Sequence, residues 1–246
     1  MAAERERSPR NAMVYTETGE VIPGENGLEI DVMETLQRVM SASPGEDVKL
    51  VGIEVAPAIT RAHFEPLYRV KTEQKAMAFA INVAWGEEYL PAMLDIFREA
   101  NMKATFFFDG QWAKSFPELA KKVASEGHEI GNHGFEHIHP ANASQERIKE
   151  IILKNEELLA GLTGVRTKLF APPYGECNDI VVRTAGGLGY RTVMWTIDTI
   201  DWKNPEPGAI INKVKKKAQP GAIVLMHPTA PTVRALPELI ATLRKD

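Results

Sequence analysis

The sequence predicts an α/β protein in which a small or incomplete parallel β/α barrel follows a small α+β module. From residue 75 onward, apolar runs of strand length alternate with helical stretches of 10–20 residues, a pattern that forms parallel sheets. Six or so repeats in about 170 residues favour a barrel over an open sheet, although periodicity alone does not separate the two. Polar residues also follow the ends of these runs, where the loops of a barrel gather.

Composition excludes several classes of protein. Apolar residues make up 44% of the 246 residues and charged residues 25%, which is globular composition. The net charge of -4 offers no basic surplus for phosphates, so we expect no nucleic-acid partner. A single cysteine, Cys177, excludes an intrachain disulfide and a multi-cysteine zinc site.

Neither a membrane span nor a signal peptide is predicted. No run of 18 apolar residues occurs, and the charged residues 1–15 contain no apolar stretch. The chain is therefore either cytoplasmic or a trimmed form whose export signal is missing.

Three regions are expected along the chain: a disordered polar tail (1–12), the α+β module (13–73) and the barrel domain (74–246). In the module, Asp31 is placed to cap a helix that ends at Pro44-Gly45. Strands are predicted over 13–16, 20–22 and 49–55, with a short helix over 61–68. A unit of about 60 residues has a small core, so we expect it to pack on the barrel.

The barrel elements follow from apolar runs and helical spacing. Predicted strands cover 77–83, 104–108, 129–131, 168–171, 192–196 and 222–226. Predicted helices cover 89–100, 117–126, 144–162, 179–186, 207–218 and 233–244. The helix over 144–162 is expected to end at Gly164.

Histidines cluster after the predicted strands, which is the strongest indication of a site. His133 and His137 are four residues apart, and in a helical turn both rings would face one metal ion. The alternative is a polar loop with solvated histidines. His139 is expected at the rim of such a site rather than as a third ligand.

A fourth histidine, His227, ends the last strand and is a candidate proton donor. Asp198 or Asp201 would orient its ring; the alternative is a hydrogen-bonded rim histidine. Four tryptophans lie near strand ends, where they would line a sugar groove or pack in the core: Trp85, Trp112, Trp195 and Trp202.

Together these motifs resemble the NodB-type polysaccharide deacetylases, a carbohydrate esterase family that removes acetyl groups from chitin-like glycans and peptidoglycan. The stretches that carry the resemblance occur in family order at 103–108, 127–137, 170–175, 198–202 and 223–227. The resemblance implies an irregular parallel β/α barrel and a hydrolase of carbon-nitrogen bonds in N-acetylated glycan. It also implies a protein of the cell envelope or extracellular space.

The resemblance assigns individual roles as well. His133 and His137 would hold a divalent metal, most plausibly zinc, and His227 would be the acid that protonates the leaving amine. The expected substrate-binding residues are Pro172, Tyr174, Trp202 and Leu225.

The sequence departs from the family at its first and third motifs. The family's Thr-Phe-Asp-Asp-Gly is replaced by Asn82-Val-Ala-Trp-Gly86, so the catalytic base falls on Ala84 and a metal-ligand aspartate on Trp85. The arginine that braces the base is replaced by Ala171. The loss of the carboxylate at position 84 and the loss of the arginine at position 171 are coupled, because a buried guanidinium without its carboxylate would be an unpaired charge. This version of the motifs resembles a sporulation-associated branch of the family.

The expected function is therefore a deacetylase-like hydrolase of weak or altered activity, with one zinc ion held more weakly than in intact members. A catalytically silent glycan-binding or peptidoglycan-binding envelope protein is the first alternative. A metal-dependent esterase or amidase acting on a smaller substrate is the second. Asp109 is a candidate to replace the missing base. The alternative interpretation is a turn residue before Gly110.

Overall fold

A seven-stranded parallel sheet forms the centre of the computed structural model, which describes residues 6–15 and 18–244. Its strands lie in the order β10-β11-β5-β6-β7-β8-β9, and every neighbouring pair is parallel. The strands are β5 (Ala78–Val83), β6 (Thr105–Phe108), β7 (Glu129–Asn132), β8 (Leu169–Phe170), β9 (Arg191–Thr192), β10 (Ile197–Asp198) and β11 (Ile223–Met226). The curled sheet confirms the predicted parallel β/α architecture.

Helices connect these strands and cover the sheet. They are α2 (Leu90–Glu99), α3 (Gly110–Ser115), α4 (Pro117–Ser125), α5 (Gln145–Thr163), α6 (Asp179–Gly187), α7 (Pro207–Lys217) and α8 (Ala230–Leu243). The longest, α5, begins where the Ser144 side chain accepts from the backbone N–H of Arg147 and ends at Gly164 in a left-handed conformation. The sequence predicted both ends.

The main core lies between the sheet and its helices. Phe97 of α2 meets Phe106 of β6 edge to face, with 6.2 Å between ring centroids, and both side chains are fully buried. Removing each such side chain from water stabilises the fold by about 2–3 kcal/mol. The carboxyl ends of the strands are consequently held on a rigid frame.

The barrel is irregular because the predicted strand 192–196 is interrupted between β9 and β10. Leu67 fills part of the gap, since its backbone N–H donates to the Thr192 carbonyl at 2.8 Å and its carbonyl accepts from Met194 N–H at 2.9 Å. The Thr196 hydroxyl donates to the Tyr68 carbonyl at 2.7 Å. The segment before the barrel therefore completes its wall, a long-range pairing that local strand propensity does not reveal.

Two small antiparallel pairs form the region before the barrel, namely β1 (Met13–Val14) with β2 (Val21–Ile22), and β3 (Gly27–Ile30) with β4 (Gly52–Val55). Helix α1 (Val32–Ser41) begins as predicted, with the Asp31 carboxylate accepting from Glu34 N–H at 2.9 Å. The predicted helix over 61–68 is only a 3₁₀ turn, Arg61–Phe64. The predicted strand residue Thr16 lies outside the described residues.

The expectation of a disordered tail over 1–12 is corrected for residues 6–12, while residues 1–5 lie outside the described part. Arg7 exchanges two backbone hydrogen bonds with Leu28, at 3.0 and 2.8 Å, and Arg10 does the same with Glu25. Ala12 is buried. Polar side chains do not prevent order here, because the backbone pairs along a strand edge. Among the described helices, none has the length and apolar character needed to cross a membrane.

Candidate functional site

A cavity of about 570 Å³ opens at the carboxyl ends of the barrel strands. This is the end at which parallel β/α folds gather their functional loops. The residues that line it are Asn82, Trp85, His133, His137, Tyr174, Gly175, Trp195, Asp198, Trp202, Leu225 and His227. Seven residues proposed from sequence for roles in catalysis, metal binding or substrate binding are among them. Ala84, Asp109 and Pro172 are not.

His133 and His137 face each other across one side of the cavity, with 5.1 Å between ring centroids. The helical turn predicted for them is wrong, because Gly134 takes a left-handed φ of 83° and the chain bends after β7. The Nδ1–H of His133 donates to the Ala171 carbonyl at 2.6 Å, which leaves the lone pair of the neutral ring on Nε2. Burial, followed by the neighbouring His137, lowers the pKa of His133 to about 3.

Asp201 holds His227 in place. Its Oδ1 lies 2.7 Å from His227 Nδ1, and its Oδ2 accepts from the His227 backbone N–H at 2.6 Å. The Thr232 hydroxyl donates to the same Oδ2 at 2.6 Å. Asp201 is fully buried, so this network is shielded from water. An imidazole held in this way is oriented for proton transfer at its free Nε2.

The choice between Asp198 and Asp201 as the partner of His227 is thereby decided for Asp201. The catalytic role predicted for Asp198 through His227 is corrected, because its Oδ1 accepts from the Ile200 backbone N–H at 2.8 Å and its side chain lines the cavity wall. Thr232 was missed by the sequence analysis, since an isolated threonine inside an amphipathic helix gives no signal.

Trp85 covers one face of the His227 ring. The two rings are stacked, with 4.9 Å between centroids and 17° between planes. Gly86 makes this possible, because its φ is 83° and a Cβ there would lie 1.9 Å from the Pro228 carbonyl oxygen. The loop after β5 therefore lies directly against the loop after β11. An indole occupies the position at which the resemblance implies a carboxylate.

Asp109 caps a helix that the sequence analysis missed. Its Oδ1 accepts from Trp112 N–H at 3.0 Å at the start of α3, and its Oδ2 has no hydrogen-bond partner in the described part of the chain. Burial raises the pKa of Asp109 to about 6, and nearby Glu136 adds to the rise. The side chain does not line the cavity, so the local-turn interpretation accounts for it better than a role as substitute base.

Replacing Asp109 with Asn is expected to remove a pH dependence of stability. The folded-state pKa of about 6 lies above the ordinary 3.8, so the stabilising protonated form is lost as pH rises from about 4 through 6. Relative to the variant, the wild-type free energy of unfolding should fall by up to about 3 kcal/mol over that range. Asn preserves the helix cap. Urea unfolding at both ends of the range measures the difference, and parallel pH profiles would contradict it.

Apolar side chains surround Ala171, the position at which the resemblance implies an arginine. Ala171 is buried in a cluster with Ala80, Phe107, Val193 and Ile223. Its carbonyl accepts from His133, so the backbone at this position still serves the site. A guanidinium placed here would need a carboxylate partner, which supports the coupling inferred between Ala84 and Ala171.

Aromatic side chains make up much of the cavity wall. Trp85, Trp195 and Trp202 line it, whereas Trp112 is buried and stacks on Phe108 with 5.4 Å between centroids. The sequence analysis left both roles open for all four tryptophans. Trp195 lies so close to Gly175 that a Cβ there would be 2.3 Å from the indole, which requires glycine at this position.

Tyr174 is fixed at the rim in a left-handed backbone conformation, with φ 58°. Its ring meets His137 edge-on at 4.4 Å and stacks on His139 at 4.0 Å between centroids. His139 Nδ1 lies 2.7 Å from Glu176 Oε1. His139 is therefore a rim residue that braces Tyr174, as its predicted position implied, and Glu176 is a contributor that no sequence signal marked.

The donor set falls short of a catalytic zinc site. Within residues 6–15 and 18–244, no three His, Cys, Asp or Glu side chains come together as a group able to hold a metal. Catalytic zinc sites have three protein ligands. Here His133 and His137 supply two imidazoles, and Trp85 has no ligand atom to add.

Zinc binding by the wild type should consequently be weak, with one ion held by the two imidazoles and water. His133→Ala should abolish the binding heat, because one remaining imidazole cannot retain the ion. His139→Ala is the matched control, and its zinc affinity should equal that of the wild type. Isothermal titration with zinc measures all three proteins, and indistinguishable binding by His133→Ala and wild type would contradict the assignment.

Comparison with known proteins decides the family. The family model described as polysaccharide deacetylase matches residues 69–193. The protein YlxY of Bacillus subtilis (strain 168) is 38% identical over 245 residues, covering 99% of this chain and 76% of YlxY. The chain belongs to the polysaccharide deacetylase family. A peptidoglycan-N-acetylglucosamine deacetylase of Bacillus cereus is 36% identical over 198 residues, covering 76% of this chain and 92% of that protein.

One solved structure of similar fold is described as a pseudoenzyme. It is described as a CE4 family pseudoenzyme from Bacillus anthracis, with a TM-score of 0.73 and 36% identity, covering 98% of this chain and 86% of that chain. A mutant of it is described as having restored enzymatic activity. Polysaccharide deacetylases of this fold thus include a protein described as a pseudoenzyme.

Proposed function

We propose that this polysaccharide deacetylase family member binds N-acetylated cell-wall glycan of the peptidoglycan type without hydrolysing it efficiently. The observation that carries the proposal is the stacking of Trp85 on His227, with 4.9 Å between ring centroids. That indole stands where a metal-ligand carboxylate is expected, and Ala84 has no group able to accept a proton. Loss of a general base alone typically costs a factor of about 10²–10⁴ in rate.

The cavity wall supports glycan binding. Its three tryptophans and Tyr174 offer flat apolar faces, while Asn82 and Asp198 supply polar groups. Pockets that combine aromatic walls with a few convergent polar groups are typical ligand sites. The curated relatives named as peptidoglycan deacetylases indicate the same class of glycan, and with it a place of action at the cell envelope.

Trp202→Ala tests the proposal, because Trp202 is half exposed and its ring is available to a sugar. Loss of an aromatic anchor of about 2 kcal/mol should weaken binding of N-acetylated chito-oligosaccharide about 30-fold. Tyr68→Ala is the matched control, since Tyr68 is also half exposed but does not line the cavity. Isothermal titration measures both variants, and unchanged affinity in Trp202→Ala would contradict the proposal.

Weak hydrolysis is the second candidate, favoured by the intact network of His227, Asp201 and Thr232. The candidate proton donor His227 keeps its buried partner Asp201, whereas the position of the base carries Ala84 instead of a carboxylate. Acetate release from N-acetylated chito-oligosaccharide in the presence of zinc distinguishes the two. Release by wild type that is lost in His227→Ala would favour the hydrolase.

A further inference from the structure

Among the residues that line the cavity, the fixed charge is negative. Of its eleven lining residues, Asp198 is the single carboxylate, and neither lysine nor arginine is among them. The lining therefore offers a ligand the negative charge of Asp198 without a lysine or arginine to balance it, and its remaining basic groups are the imidazoles of His133, His137 and His227.

Asn82 adds an unused acceptor. Its side chain lines the cavity and the residue is only 5% exposed, yet its Oδ1 has no hydrogen-bond partner among residues 6–15 and 18–244. A buried acceptor left without a donor costs free energy, which a ligand donor would recover. The terminal torsion of Asn is soft, so rotation of the amide can present this oxygen to the cavity.

Aromatic side chains in the same cavity wall also suit a cation. Trp85, Trp195, Trp202 and Tyr174 line the same cavity as Asp198. Indole and phenol faces attract ammonium groups through the ring quadrupole, and aromatic cages are a recurrent means of binding them. The Nζ of the neighbouring Lys203 lies 4.9 Å from the Trp202 ring centroid, a contact of this kind.

We propose that, within a partly N-acetylated glycan, this cavity binds a de-N-acetylated glucosamine residue most tightly, with its free ammonium held between Asp198, Asn82 and the tryptophan faces. The inference rests on the proposed glycan-binding function and deepens it. A neutral acetamide can donate one N–H hydrogen bond to the carboxylate but lacks the attraction of opposite charges, and an acidic sugar would be repelled by it. The ligand is thus the product of N-deacetylation within a longer glycan, and the protein acts after the class of reaction that removes acetyl groups.

Isothermal titration with two tetrasaccharides tests the proposal: fully de-N-acetylated and fully N-acetylated chitotetraose. The measurement is made at mildly acidic pH, where the free amine is protonated, with a chelator that removes divalent metals. The de-N-acetylated tetramer should bind at least tenfold more tightly to the wild type, about 1.4 kcal/mol.

Asp198→Asn should abolish that preference, so that the two tetramers bind with affinities that differ by less than threefold. The substituted amide retains an oxygen that can accept from Ile200 N–H, so the local backbone is preserved. Asp179→Asn is the matched control for net charge, because the Asp179 side chain is 85% exposed on α6 and lies outside the cavity. It should retain the full preference.

Three outcomes separate the possibilities. Equal or tighter binding of the acetylated tetramer by wild type overturns this inference and leaves the proposed function standing. A preference that survives in Asp198→Asn also overturns it, because the charge would then act from elsewhere. Failure of a correctly folded wild type to bind either tetramer overturns the proposed function as well.

Discussion

Ala84→Asp, Trp85→Asp and Ala171→Arg, combined in one protein, are expected to create measurable deacetylase activity. The first change restores a base, the second removes the indole from the face of His227 and adds a third ligand beside His133 and His137, and the third braces the base. With zinc present, acetate release from N-acetylated chito-oligosaccharide should exceed that of the wild type by about 10²–10⁴-fold.

Two controls give this experiment its meaning. Ala84→Asp alone should release little acetate, because an unbraced carboxylate in a partly buried site raises its own pKa or destabilises the fold. The triple protein with Ala84→Asn in place of Ala84→Asp has the same shape without a base and should also remain near the wild-type rate. If the single variant matched the triple variant, the coupling between positions 84 and 171 would be refuted.

Asp201→Ala is expected to be among the most destabilising single substitutions in the domain, lowering the free energy of unfolding by about 3–5 kcal/mol. Three donors depend on this fully buried carboxylate: the His227 backbone N–H, the His227 ring and the Thr232 hydroxyl. Each donor left unsatisfied in a buried site costs about 1–3 kcal/mol. Urea unfolding followed by circular dichroism measures the loss.

Asp95→Ala is the comparison for this substitution, because the Asp95 side chain is 52% exposed and pairs with Arg98 on its own helix. Its effect should stay within about 0.5 kcal/mol. Thr232→Val, which removes one of the three hydrogen bonds, should lie between the two. A loss below about 1 kcal/mol in Asp201→Ala would show that the network contributes little to the fold.

Local pattern was sufficient to predict most of the fold. The helix over Gln145–Thr163 follows from apolar spacing between Ser144 and Gly164, each of which acts locally at one end. The single strand predicted over 192–196 was wrong. Leu67, which is distant in sequence, hydrogen-bonds through its backbone to this segment and lies between β9 and β10. Helix α3 was missed because Asp109-Gly110 is equally typical of a turn and of a helix start.

The candidate site was predicted only in part, for a related reason. Residues at strand ends were found because parallel topology alone brings them together, as His133 and His227 show. Their partners were harder to assign, since Asp198 and Asp201 differ by three residues and only the bend between them decides which reaches His227. The stacking of Trp85 on His227 depends on two loops meeting at Gly86 and Pro228, which no local pattern encodes.

The most direct test of glycan binding without efficient hydrolysis is mass spectrometry of an N-acetylated chito-oligosaccharide recovered from its complex with the wild-type protein. The complex is formed with zinc present and held long enough for an active deacetylase to convert the ligand fully. We expect the oligosaccharide to co-purify with the protein and to retain every acetyl group. Recovery of the oligosaccharide with its acetyl groups removed would contradict the account.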